Sequence, residues 1–195
     1  LRHGYEVTIA SRSPEKLNDW ITDNNLNITA ETFEDTAAKA EILVLSVKGS
    51  VAVNLITQLP DNSLSGKTII DTTNPIASEP PENGVIRFSS SINYSLMEEL
   101  QREAPDAKFV KAFNSVGSAF MVNPDFGNDI PTMFICGNDY HAKQEVTAIL
   151  NSFGWEAEDM GQAEGARDIE PLCMLWCIPG FQRNQWTHAF KLLKK

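Results

Sequence analysis

Short apolar runs of strand length alternate along this chain with stretches of helical period, the pattern of a parallel sheet covered by helices. The first such run is Glu6 to Ala10. Ser13-Pro14-Glu15-Lys16 then reads as a helix start, with Ser13 as cap and Pro14 at the first helical position. That helix is expected to reach about Asp23 and to bury Leu17, Trp20 and Ile21. A short strand at Ile28 to Ala30 and a brief helix around Asp35 to Lys39 follow. Ile42 to Val47 shows no alternation, so both of its faces are expected to be buried, as in a central parallel strand.

The remaining elements repeat the rhythm. A helix from Ser50 to about Gln58 leads to a strand over Gly66 to Asp71, which leaves as the loop Thr72-Thr-Asn-Pro75. Residues 77–91, rich in Pro, Ser and Glu, read as an exposed excursion. Helix is expected over Asn93 to Glu103 and Tyr140 to Phe153, and strand over Lys108 to Phe113, Thr132 to Cys136 and Trp155 to Asp159. The end of the chain, from about residue 164, is helical in pattern, with Pro179-Gly180 expected to break or kink it. The sum is a single α/β domain over residues 1–195: a Rossmann-type, doubly wound, mostly parallel sheet with helices on both faces.

A nucleotide-binding sheet of this kind opens with a strand and a Gly-rich turn that holds pyrophosphate. Here Leu1-Arg2-His3-Gly4-Tyr5-Glu6-Val7 reads as the last turn of a helix, its Gly cap and the entry to a second strand. The first strand is therefore absent from this chain, and about 20 further residues are expected ahead of it. The strands at Glu6–Ala10 and Ile42–Val47 should then stand apart with no mutual ladder, since the usual order puts the first strand between them.

Composition removes whole classes of function. The 16 basic and 26 acidic residues give a formal charge of -10, which weighs against nucleic-acid binding. No apolar run approaches the roughly 18–20 residues of a membrane helix, so no membrane partner is expected. Cys136, Cys173 and Cys177 are an odd number without a disulfide framework, which points to a reducing, cytoplasmic setting. Cys173 and Cys177 sit four apart, but with three His in the chain and none nearby, packing is favoured over metal binding.

The candidate chemistry lies where strands end. An Asp or Glu after the second strand would accept from a ribose 2′-hydroxyl and favour NAD. Ala10-Ser11-Arg12 offers a hydroxyl and a guanidinium instead, donors that suit a 2′-phosphate, with Lys16 one turn further on. The reading is NADP(H) rather than NAD.

Ala10-Ser-Arg12, Leu43-Val-Leu-Ser-Val47 and Gly66-Lys-Thr-Ile-Ile-Asp-Thr-Thr-Asn-Pro75 resemble the NADP-binding oxidoreductases typified by NADPH-dependent coenzyme F420 reductase. Lys111-Ala-Phe-Asn-Ser-Val-Gly117, Phe134-Ile-Cys-Gly137 and Ala166-Arg-Asp-Ile-Glu-Pro-Leu-Cys-Met-Leu-Trp176 extend the likeness. The chain is also similar to the NADPH domain of the STEAP metalloreductases. The resemblance implies that Ser11 and Arg12 hold the 2′-phosphate with Lys16 close by. It implies that Val47 and Lys48 border the ribose and adenine side; family members often carry Pro where Lys48 stands. Asn74 would approach the nicotinamide half, the loop Asn114 to Ser118 would flank it, and Ser118 would contact its carboxamide. For Asn74 and Asn114 the alternative is that they bond nearby backbone and hold loops.

No catalytic side chain is assigned. Reduction of a carbonyl calls for a positioned proton donor, and His3, His141 and His188 lie in three separate contexts. Hydride transfer to a flavin or to the deazaflavin F420 asks mainly for two rings held in register. Phe113, Phe120, Met121 and Trp176 could line an acceptor pocket or lie in the core. The reading is hydride transfer between NADPH and a flavin, deazaflavin or similar small-molecule acceptor. A non-catalytic NADP-binding sensor and a pyrroline-carboxylate-reductase-like enzyme are the alternatives. Phe181, Trp186, Phe190 and Leu193, at near-helical spacing, would serve a core or a homodimer face.

Overall fold

The computed structural model describes residues 1–195. Its strands are β1 (Thr8–Ala10), β2 (Thr29–Glu31), β3 (Ile42–Leu45), β4 (Thr68–Asp71), β5 (Lys108–Lys111), β6 (Thr132–Ile135) and β7 (Glu156–Asp159). Its α-helices are α1 (Asn18–Asp23), α2 (Phe33–Lys39), α3 (Gly49–Gln58), α4 (Leu96–Glu103), α5 (Tyr140–Ser152) and α6 (Ala166–Arg183). All the ladders are parallel: β1 with β2, β3 with β4, β4 with β5, and β6 with β7. A single antiparallel bridge, Lys111 to Cys136, joins β5 to the end of β6. β1 and β3 share no ladder, as the strand order requires.

The central strands show why the sheet is covered on both sides. Along β4 and β5, Ile69 and Phe109 face one core while Ile70 and Val110 face another. The first core is closed by Ala52 and Ile56 of α3, Leu96, Met97 and Leu100 of α4, and Ala166 and Ile169 of α6. The second is closed by Ala142, Val146, Ile149 and Leu150 of α5 together with Met133 and Ile135. Phe109, wholly buried, would cost about 3–5 kcal/mol on truncation to Ala. Two close approaches tie the strands further. Lys67 donates through Nζ to the carbonyls of Ala38 and Ala40, capping the end of α2. A Cβ on Gly137 would lie 2.5 Å from the carbonyl oxygen of Phe109, so only glycine lets the chain leave β6 there.

Four expectations are corrected. Ser13 makes no side-chain cap: Pro14–Leu17 is a 3-10 turn that passes into α1, and Ser13 instead donates its N–H to Ser11 Oγ at 3.2 Å. The short pair α1 and β2 supplies too little surface to cover the apolar face, so Leu17 and Ile21 are only half-buried and Trp20 is 48% exposed. β3 ends at Leu45, and its second face is only partly covered: Ile42 packs against the second core, but Val44 is 58% exposed. Finally, α6 runs unbroken through Pro171 and Pro179. The carbonyl four residues before Pro179 belongs to Leu175, on the solvent side of the helix, where its lost partner is cheap to replace.

α6 ends at Asn184, which takes a left-handed conformation (φ 52°). The tail beyond is extended rather than helical: Thr132 donates its N–H to Phe190 O, and Leu192 donates to Thr132 Oγ1. Trp186 folds back until its ring fills the space a Cβ on Gly180 would need, 2.3 Å away. Phe181 and Leu193 remain exposed, so their near-helical spacing marks neither one helix face nor the core.

Candidate cofactor site

Parallel pairing sets the carboxyl ends of β3, β4 and β5 to one side, with Val47, Lys48, Asn74 and Asn114 in the loops leaving them, while β1, laddered to β2, carries Ser11 and Arg12 beyond its own carboxyl end. In open α/β sheets that edge is where ligands bind. At the end of β1, Ser11 donates its N–H to Glu31 O at 2.9 Å, which extends the ladder by one residue. Its hydroxyl accepts from Ser13, closing a small turn that leaves Arg12 at the surface. Arg12 and Lys16 are exposed, and neither is in an ion pair or a side-chain hydrogen bond, so both are free to meet an anion.

Val47, leaving β3, is half-buried against the first core, and Lys48 is exposed at the start of α3 with no capping bond from its side chain. The first turn of that helix lies against the β4 loop. A Cβ on Gly49 would meet the carbonyl oxygen of Asn74 at 2.0 Å and Leu96 Cδ2 at 2.9 Å.

Asn74 and Asn114 are brought together. Asn74 Nδ2 donates to Asn114 O at 2.8 Å, and Asn114 Nδ2 donates to Asn74 Oδ1 at 3.1 Å and to Ile169 O at 2.9 Å. Three acceptors around the two amide nitrogens fix which way each amide points. The loop-holding alternative is thus satisfied, and the pair also links β4, β5 and α6. Asn114 Oδ1 is buried without a donor. The residue before it, Phe113, is buried with φ at 59°, a strained conformation for a bulky side chain. Ser118 is exposed at the start of the 3-10 turn Ser118–Phe120, and the preceding Gly117 backs onto the Trp176 indole.

Of the aromatic candidates, Phe113 and Trp176 are buried, while Phe120 stacks on Phe126 at 5.3 Å. His188 stacks on Trp176 and bonds its carbonyl, and His3 packs on Phe153, so the histidines do not converge. The three cysteines are buried and unpaired.

Sequence reasoning missed the charged centre beneath these loops. Lys111 Nζ pairs with Asp71 Oδ2 at 2.6 Å and Glu170 Oε1 at 3.0 Å, and donates to Thr73 O at 2.9 Å. None of the three charged side chains is more than 2% exposed. Burial pulls the Lys111 pKa down, and the two carboxylates more than reverse it, holding the ammonium charged. The available signal was a charge closing each of two neighbouring apolar strands, Asp71 and Lys111, which stand directly opposite in the register.

Comparison with known proteins fits this architecture. Residues 1–75 match the family model described as NADP oxidoreductase, coenzyme F420-dependent. A solved structure from Arthrobacter sp. FB24, described as a candidate F420-dependent NADP-reductase, superposes with a TM-score of 0.88 at 29% identity, covering 98% of this chain and 90% of that one. The chain is thus similar to NADP-dependent oxidoreductases over most of its length. Rat metalloreductase STEAP3 is 26% identical over 181 residues, which are 90% of this chain and 34% of that protein. Human metalloreductase STEAP2 is 26% identical over 174 residues, 88% of this chain and 32% of the other. The chain thus spans about a third of the length of these curated relatives. A reductive aminase from Aspergillus terreus, solved with NADPH and ethyl levulinate, shares the fold at TM-score 0.62 and 16% identity, covering 92% of this chain and 55% of that one. The fold and these relatives are those of NADP-dependent oxidoreductases, and no helix here is long and apolar enough to cross a membrane.

Proposed function

We propose that this chain binds NADP(H) along the carboxyl edge of its sheet and passes hydride between NADPH and a flavin, the deazaflavin F420 or a similar small-molecule acceptor. The observation that carries the reading is the free pair Arg12 and Lys16 at the end of β1, where a 2′-phosphate is distinguished from a 2′-hydroxyl. Bound NADPH supplies the hydride. Ser11, Arg12 and Lys16 bind its 2′-phosphate, and Val47 and Lys48 border the adenine-side ribose. The interlocked amides of Asn74 and Asn114 orient the nicotinamide half, and Ser118 contacts the carboxamide. The residues suit the group on a further count: Asn114 Oδ1, buried and without a donor, is an acceptor matched to a carboxamide N–H.

No side chain here has to move a proton for hydride to pass between two rings, so the protein's task is binding, orientation and exclusion of water. The assembly that does this is cytoplasmic, and Phe181 and Leu193 leave apolar surface for a second copy. Calorimetry with NADPH and NADH, followed by absorbance at the nicotinamide band with F420, FMN and FAD, tests the reading. Preference for NADPH and its oxidation by one of these acceptors is the expected result. Equal binding of both cofactors, or tight NADPH binding with no oxidation by any acceptor, would count against it.

A further inference from the structure

The Asp71–Lys111–Glu170 cluster holds two acidic side chains and one basic one. Lys111 Nζ donates to Thr73 O and lies 2.6 Å from Asp71 Oδ2 and 3.0 Å from Glu170 Oε1. Asp71 Oδ1 accepts from Thr73 N at 2.9 Å and Thr73 Oγ1 at 2.7 Å. Glu170 accepts through Oε1 from Met97 N at 3.0 Å and through Oε2 from Leu96 N at 3.1 Å, so it also caps the start of α4. Two acidic side chains thus stand against one ammonium, a formal charge of one negative, in a centre where none of the three is more than 2% exposed.

That charge lies directly under the loop carrying Asn74. Lys111 holds the carbonyl of Thr73, and Asn74 is the next residue, its Cα about 3.8 Å further along the chain. The Cys136 thiol, on the residue bridged to Lys111, is pushed up to about 12 by burial first; Lys111 opposes this, and Asp71 and Glu170 add to it.

We infer that this cluster sets the redox preference of the site, binding the positively charged, oxidised nicotinamide more tightly than the neutral, reduced one. The inference rests on the NADP reading above. A fixed negative charge in a dry setting favours whichever form gains positive charge, and the loss of hydride is the step that creates it. The residues act through the field and through Thr73, so they are positioning residues and need not touch the cofactor.

The test is the ratio of NADP+ to NADPH affinity, measured by calorimetry on wild type, Glu170→Gln and Asp71→Asn, each checked for fold by circular dichroism. Removing either charge is expected to weaken NADP+ about tenfold relative to NADPH. Two variants from different elements keep the measurement open if one fails to fold. Equal weakening of both forms would reveal a purely structural role and overturn the inference, as would folded variants with the wild-type ratio. Wild-type full-length protein that binds neither form overturns the NADP reading itself and this inference with it.

Discussion

The carbonyl of Asn74 lies so close to Gly49 that a Cβ at position 49 would stand 2.0 Å from its oxygen and 2.8 Å from its carbon. The contact joins the first turn of α3 to the loop after β4, the two segments between which the resemblance implies the cofactor lies. Gly49→Ala must move either the helix or Asn74, and Asn74 is the one interlocked with Asn114. The variant is expected to lose about 1–3 kcal/mol in urea unfolding and to bind NADPH more weakly. Wild-type stability with wild-type affinity would show that the two segments do not need this contact.

Much of this arrangement was legible in the sequence because it rests on local pattern. β4 and β5 follow from apolar runs closed by loop residues, and the carboxyl edge then collects Ser11, Lys48, Asn74 and Ser118 without further information. What stayed hidden depends on partners distant along the chain. Asn74 and Asn114 are 40 residues apart, and Leu96 N to Glu170 spans 74. The course of α6 through Pro179 was equally out of reach, since helix packing and a solvent-side carbonyl outweigh the local penalty there.

Arg12 is exposed and free of protein partners, so its removal tests recognition rather than folding. Arg12→Ala is expected to weaken NADPH by about 2–3 kcal/mol, the scale of a charge-assisted hydrogen bond. NADH affinity should change little, and stability should stay within about 0.5 kcal/mol. Calorimetry with both cofactors checks the first two expectations and urea unfolding the third. An equal loss for both cofactors would remove Arg12 from the 2′-phosphate.

Lys111→Met removes the one cation between two wholly buried carboxylates. An uncompensated buried charge of this kind costs about 3–5 kcal/mol, far more than a surface ion pair. The same substitution at Lys39, which is itself exposed and pairs with the half-buried Glu31, should cost far less. Comparing the two variants by denaturant midpoint separates the cluster from ordinary surface pairing. Similar losses would mean that the Lys111 centre is relaxed by water or by proton uptake.

Glu98 gives the stability of the chain an acid edge. It caps α4 in a capping box with Ser95, and it accepts from Arg167 Nε at 3.0 Å, joining α4 to α6. Burial alone would raise its pKa, but the bonds from Arg167 and Ser95 outweigh that and hold it at about 2, against 4.5 for the free side chain. A group whose folded pKa lies below its unfolded value binds protons more readily when unfolded. Its contribution is therefore complete above about 4.5 and is lost as the pH falls towards about 2. Glu98→Gln removes this dependence and, by weakening the capping box, costs about 1 kcal/mol near neutral pH. Urea unfolding of both proteins from about pH 6 down to about pH 3 should give curves that converge as acid is added. Curves that stay parallel over that range would show that Arg167 and Ser95 do not stabilise the Glu98 carboxylate.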